Sequence, residues 1–169
     1  MGRLLNYEDI TIRDLTANLD AAEFDPYIVE AEEVDIKLIL GNVLFTDLVN
    51  NLTSSDPNYV FLLDGGSYAD GSYTYEIKGL RYALEYYALA RYMENPYIHT
   101  QTGFTNHSDE FGTKPTKSEL DKLANNVRSV AWSVMDDIKK YLNAKNSDFP
   151  LWNCDSQGNR SGSVKLSIL

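Results

Sequence analysis

Cysteine is almost missing from this chain. Cys154 stands alone among 169 residues, so no internal disulfide can staple the fold. As a nucleophile Cys154 would need a histidine partner and an activated thiolate, and nothing near it specifies either. A small, semi-buried side chain beside Trp152 is the simpler reading. Histidine is nearly as scarce: His99 and His107 share one polar stretch with Asp109 and Glu110. Their spacing matches no compact zinc or calcium pattern, so the sequence assigns no metal, no cofactor and no catalytic residue. Basic side chains are the minority, 15 Lys and Arg against 25 Asp and Glu, for a net charge of −10. An acidic surface repels phosphate, which argues against gripping nucleic acid. Long apolar runs are absent too, and the N-terminus has no signal-peptide core, so the expectation is a soluble protein made in the cytoplasm, without a membrane partner. The sequons at Asn51, Asn106 and Asn159 are chance matches in that setting.

What the chain does have is apolar surface of helical period. Hydrophobic residues make up 43% of it, enough for a core, and the length suits one domain with arms. The segment Ile77–Met93, IKGLRYALEYYALARYM, is apolar on nearly every side. Leu80, Leu84, Ala88 and Arg91 run down one side, and Tyr82, Tyr86, Leu89 and Met93 down another. A helix apolar all round is buried all round, so this is a central helix wrapped by other elements or by neighbouring subunits. Tyrosines 82, 86, 87 and 92 suit either an aromatic core or an inter-subunit boundary.

The remaining punctuation divides the chain into 1–24, an N-terminal arm; 25–147, a helical domain with a long loop at 96–115; and 148–169, a C-terminal arm. Asp25-Pro26 predicts a helix start, Asp as N-cap and Pro in the first turn. Ile28, Ala31, Val34/Asp35, Leu38 and Ile39 form its stripe, and Gly41 its end. A second short helix follows, with Val43, Leu44, Leu48 and Leu52 apolar. Residues 53–73 are dense in turn formers and predict a loop with at most a short helical turn. Thr74 is the predicted cap of the central helix, and Pro96 its stop. Thr116-x-x-Glu119 is a capping box that opens a last helix of roughly 28 residues, about 42 Å long. Its stripe is Leu120, Leu123, Ala124, Val127, Val130, Ala131, Val134, Ile138, Tyr141 and Leu142. Beyond a Gly/Ser/Asn/Arg hinge, Val164, Leu166 and Ile168 alternate as one face of a terminal strand. Such a strand has no partner in a helical domain, and its backbone groups call for another sheet edge.

Acidic residues concentrate early. Positions 1–40 carry ten of them against Arg3, Arg13 and Lys37, a balance of −7. They form either a solvated face or a surface that lines a channel or meets a basic partner. Glu32-Glu33 and Asp136-Asp137 point apart on a helix and make no acid–base pair.

Three pieces together resemble the head–tail connector (adaptor, or ring) proteins of tailed bacteriophages, in particular crAss-like and related phages of Bacteroidetes. They are the helix pair from Asp35 to Leu48, the run Gly79–Tyr92 followed by Thr102-Gly103-Phe104, and the long helix ending at Tyr141-Leu142 with Trp152, Cys154 and the Gly/Arg/Ser-rich terminus. The likeness covers roughly residues 25–169, leaves the first 24 unmatched, and rests on packing motifs. It implies a mainly α, four-helix adaptor fold and a homo-oligomeric ring of twelve subunits below the portal protein. It further implies contacts to other tail or ring proteins and a lumen through which DNA passes unbound, in the virion at the head–tail interface. No catalytic residue carries over. Tyr97, Phe104, Phe111, Trp152, Val164, Leu166 and Ile168 are the expected partner-binding residues. Two other classes remain open: a non-catalytic helical interaction module, and a small metal-dependent enzyme built on His99, His107, Asp109 and Glu110.

Overall fold

The computed structural model describes residues 2–11, 21–95 and 116–152. The expected loop 96–115, the terminal strand, Cys154 and both histidines lie outside them. The fold is mainly α, as expected. Its helices are α1 (Ala21–Ala31), α2 (Lys37–Leu40), α3 (Asn42–Asn50), α4 (Pro57–Asp64), α5 (Leu80–Glu94) and α6 (Lys117–Ala144). A wide π turn, Glu32–Ile36, joins α1 to α2. Two strands, β1 (Gly65–Asp70) and β2 (Tyr73–Lys78), form an antiparallel hairpin between α4 and α5.

Helix α5 is the axis. Leu80, Ala83, Leu84, Glu85, Tyr87, Ala88, Leu89, Ala90, Tyr92 and Met93 are all buried, on every side of it. Helix α6 packs along one flank through Ala124, Ala131, Met135, Ile138 and Leu142. Helix α1 covers another, where the Phe24 and Tyr27 rings meet Tyr92 edge-on at 5.7 and 5.5 Å. The predicted capping box is present: Thr116 Oγ1 accepts from Glu119 N at 3.3 Å, and Glu119 Oε2 accepts from Thr116 N at 2.8 Å. These bonds hold the exposed Glu119 carboxyl below its ordinary value.

Several local expectations are overturned. Helix α1 begins at Ala21, and Pro26 sits inside it. The proline gives up one bond of the ladder. Burial of Phe24 and Ile28 on either side of it holds the helix through that gap. Asp25 caps nothing; it bridges to Arg3. The predicted stripe also fails past Ala31. The π turn takes in an extra residue, so Ile36 and Leu40 return to the core, while Leu38 is left 81% exposed. In α6 the flanking stripe residues Leu123 and Val130 stay exposed.

Residues 53–73 are loop only at 53–56 and at the 71–72 turn; the expected short helical turn is a two-turn helix, and a strand follows it. Asp56 caps α4, its carboxylate accepting from Asn58 N at 2.8 Å with Pro57 in the first turn. At the hairpin tip Gly71 takes a positive φ of 59°, which opens the two-residue turn between Asp70 and Tyr73. Thr74 belongs to β2, and Gly79 precedes α5 instead. A Cβ on Gly79 would lie 2.0 Å from the Leu63 carbonyl oxygen, so only glycine lets this corner pass against α4.

The first residues are not a free arm. Leu4, Leu5 and Ile10 are buried in the common core around a 3-10 turn at Tyr7–Asp9.

Candidate interaction surface

Among the described residues the hairpin is mostly exposed, anchored to the core at Ile77. Its register, Gly65↔Lys78 through Asp70↔Tyr73, sorts the side chains. Tyr68, Asp70, Tyr73, Tyr75 and Ile77 share one face, and Ser67, Ala69, Thr74, Glu76 and Lys78 share the other. The aromatic face turns to α6. Tyr68 stacks on Tyr75 at 5.5 Å and meets Tyr141 edge-on at 5.0 Å. Tyr141 continues to Phe61 at 4.7 Å and to Phe149 at 5.7 Å. Burial pushes the Tyr141 phenol up to about 12. An isolated two-stranded hairpin is marginal in water, and this chain of rings supplies the packing it lacks.

The packing is incomplete toward the tip. Tyr73 is 69% exposed and Tyr75 is also largely open. Between hairpin and α6 lies a cavity of about 410 Å³, lined by Tyr68, Asp70, Tyr75, Glu76, Ile77, Asp137 and Lys140. Lys140 is bonded to Asp136 at 2.8 Å and Asp137 at 3.0 Å, and the Asp136 contact leads in holding its ammonium charged beyond its usual range. The groove is thus aromatic with an acidic rim. On α6 itself, Trp132 is 57% exposed, a large apolar side chain the periodicity did not single out.

Of the expected partner-binding residues, Trp152 alone lies among the described ones. It is buried beside α6, with its indole N–H donating to Asn143 Oδ1 at 2.8 Å. It packs in the subunit's own core. Tyr97, Phe104, Phe111, Val164, Leu166 and Ile168 lie outside the described residues. Tyr73, Tyr75 and Trp132 are the exposed aromatics the sequence reading missed. An Asp-Gly turn beside an alternating Tyr-Thr-Tyr-Glu-Ile run was the signal for the first two.

The early acidic cluster divides. Several members are engaged internally. Arg91 Nε donates to Asp35 at 2.6 Å and its NH1 to Glu30 at 2.6 Å, and Lys37 pairs with Glu33. Glu32, only 6% exposed, accepts from the backbone N–H of Leu4 at 2.8 Å and of Leu5 at 3.3 Å. Burial raises its carboxyl above the ordinary value, against the lowering pull of those two amides. Glu85, 2% exposed on the central helix, accepts from Thr11 N at 3.0 Å and its hydroxyl at 2.9 Å. Arg81 Nε donates to the Leu4 carbonyl at 2.9 Å. Glu32 and Glu85 fasten the first residues to the core, while Glu8, Asp9, Glu23, Glu30 and Glu33 are exposed, as a solvated face would be.

Among the described residues no cluster of three or more His, Cys, Asp and Glu could hold a metal, and no helix is long and apolar enough to cross a membrane. Residues 36–162 match a protein family described as a family of unknown function (DUF6712). No curated protein and no solved structure matches the chain.

Proposed function

This chain belongs to the DUF6712 family, and we propose that it is a structural virion protein, a head–tail connector that forms a ring below the portal. The ring extends the DNA channel and offers the tail a platform. The proposal starts from the resemblance carried by residues 35–48, 79–92 and the long last helix, and is in keeping with the mainly α fold. The observation that carries it furthest is the tyrosine-faced hairpin. A helical domain has stiff walls, and the hairpin presents exposed aromatics beside a partly filled groove, the composition of a protein-binding site. Rings need two different complementary patches per subunit. The hairpin groove and the exposed Trp132 on α6 are two such candidates. Electron microscopy of the protein mixed with its portal tests this. Closed twelve-membered rings with a central channel are expected. A protein that stays monomeric with the portal present would leave a helical interaction module as the better reading.

A further inference from the structure

The groove between hairpin and α6 sets a wall of rings against a pair of carboxylates. Tyr68 and Tyr75 are cross-strand partners on the face turned to α6, and their rings lie 27° from parallel at 5.5 Å. Tyr75 is 45% exposed, so ring surface stays open beside the cavity. Tyr73, 6.4 Å from Tyr75, extends the wall toward the hairpin tip. Asp70 shares that strand face, and Asp137 enters from α6. Both carboxylates act on one ring: burial leads in raising the Tyr68 phenol, and Asp70, Tyr75 and Asp137 add to it. The register turns the Glu76 side chain to the opposite face, so its charge does not count here. Lys140 is shared by Asp136 at 2.8 Å and Asp137 at 3.0 Å, and that trio carries −1. Asp70 has no ion-pair partner among the described residues and brings the balance to −2, three aspartates against one lysine.

We propose that this groove binds an arginine side chain presented by a partner protein, its guanidinium laid on the open face of Tyr75 and its N–H fork turned to Asp70 and Asp137. A cation over an aromatic face is attracted by the ring's quadrupole. The guanidinium is flat, weakly hydrated and two-pronged, so it can stack on a ring and bond carboxylates at once. An ammonium is a compact, strongly hydrated point charge and gains less from such a site. A caged ammonium would need rings on several sides, and the near-parallel Tyr68 and Tyr75 supply a single wall. Nucleic acid is repelled by the same carboxylates. The arginine comes from a different protein, because Arg3, Arg81, Arg91 and Arg128 are each ion-paired within the subunit. The described surface of a second copy therefore offers none to spare. The inference rests on the reading of the hairpin as a protein-binding surface, and gives its groove to a protein that docks on the subunit rather than to the next subunit.

Titrating the full chain with the peptide acetyl-Gly-Arg-Gly-amide, and with its lysine and citrulline counterparts, tests this. Magnetic resonance signals of the Tyr68 and Tyr75 rings read occupancy. The arginine peptide should bind about tenfold more tightly than the citrulline peptide, which keeps the shape but not the charge; that ratio is the order of one charge-assisted contact. The lysine peptide should fall between them. Asp70→Asn, with its helical signal unchanged, should weaken the arginine peptide several-fold and leave the citrulline peptide as it was. Equal affinity for arginine and either counterpart overturns the proposal, as does a lack of response at those rings to any peptide. Ring signals that shift when the chain alone is concentrated would assign the groove to a second copy and overturn it too. The connector reading is judged separately. Closed rings whose groove is blind to arginine sink this inference alone, and an arginine-selective chain that never closes a ring sinks only the connector.

Discussion

Glu32→Ala tests whether a buried carboxylate holds the first residues in place. In the native fold one oxygen, Oε1, accepts from both Leu4 N at 2.8 Å and Leu5 N at 3.3 Å. Alanine leaves two buried donors without that acceptor, at about 1–3 kcal/mol for each unsatisfied group. Taking the longer bond at the low end gives a loss of roughly 2–4 kcal/mol. For a chain of this size each kcal/mol lowers Tm by about 2–4 °C, so a drop of about 5–15 °C is expected in a calorimetric scan. Glu32→Gln keeps one acceptor oxygen and the side-chain shape, and should lose less than about 1 kcal/mol. Exchange at Leu4 and Leu5 amides should quicken in the alanine variant only. The acid range provides a second check. Burial raises the Glu32 carboxyl above 4.5, so the folded chain holds this proton to higher pH than the unfolded chain. Its contribution is therefore greatest at acid pH and declines as pH rises from 4.5 through the folded value. The native protein should lose ground to Glu32→Gln across that interval. Equal Tm values for the alanine and glutamine variants would refute the acceptor role, and a native advantage that grows with pH would refute the burial argument.

Three further outcomes are expected. Leu84→Asp should abolish folding, because an unpaired carboxylate on the fully buried axis of α5 costs several kcal/mol against a total of about 5–15; an unchanged melting temperature would make this helix peripheral. Arg91→Ala should destabilise by about 2–4 kcal/mol in chemical denaturation, since it strands the half-buried Asp35, and Arg91→Lys should recover only part because the two-pronged contact is lost. Tyr59, Tyr86, Tyr87 and Tyr141 are all pushed up to about 12, so the folded chain keeps phenol protons the unfolded chain releases near 10; stability should fall between those values, with tyrosinate absorbance rising together with loss of helical signal.

The helices were legible wherever one residue type settled the matter locally. Apolar residues on every side of 77–93 announced the central helix, Thr116 and Glu119 its long neighbour's start, and Gly41 an end. The hairpin was not, because its second strand runs into the central helix with only Gly79 between. The run therefore reads as one helical stretch, and the contact that forces the corner, Gly79 on Leu63, lies far away in sequence. The exposure of Leu38 was hidden for a different reason: periodicity assumes 3.6 residues per turn, and the π turn breaks that count. Least legible was the role of the acidic residues. Glu32 looks like any charge on a helix face until Leu4 and Leu5, 28 and 27 residues earlier, are seen to need it. The aromatic groove needed all three dimensions, since β1, β2 and α6 meet there from distant stretches.

The fastening of Thr11 by Glu85, 74 residues later, and of Leu4 by Arg81, 77 residues later, has a consequence for biosynthesis. A ribosome adding about 5–20 residues per second makes the first segment roughly 4–15 s before its anchors exist. Leu4, Leu5 and Ile10 therefore emerge apolar and without a place to go. The segment locks well after it is made, and during that interval it stays open to a chaperone.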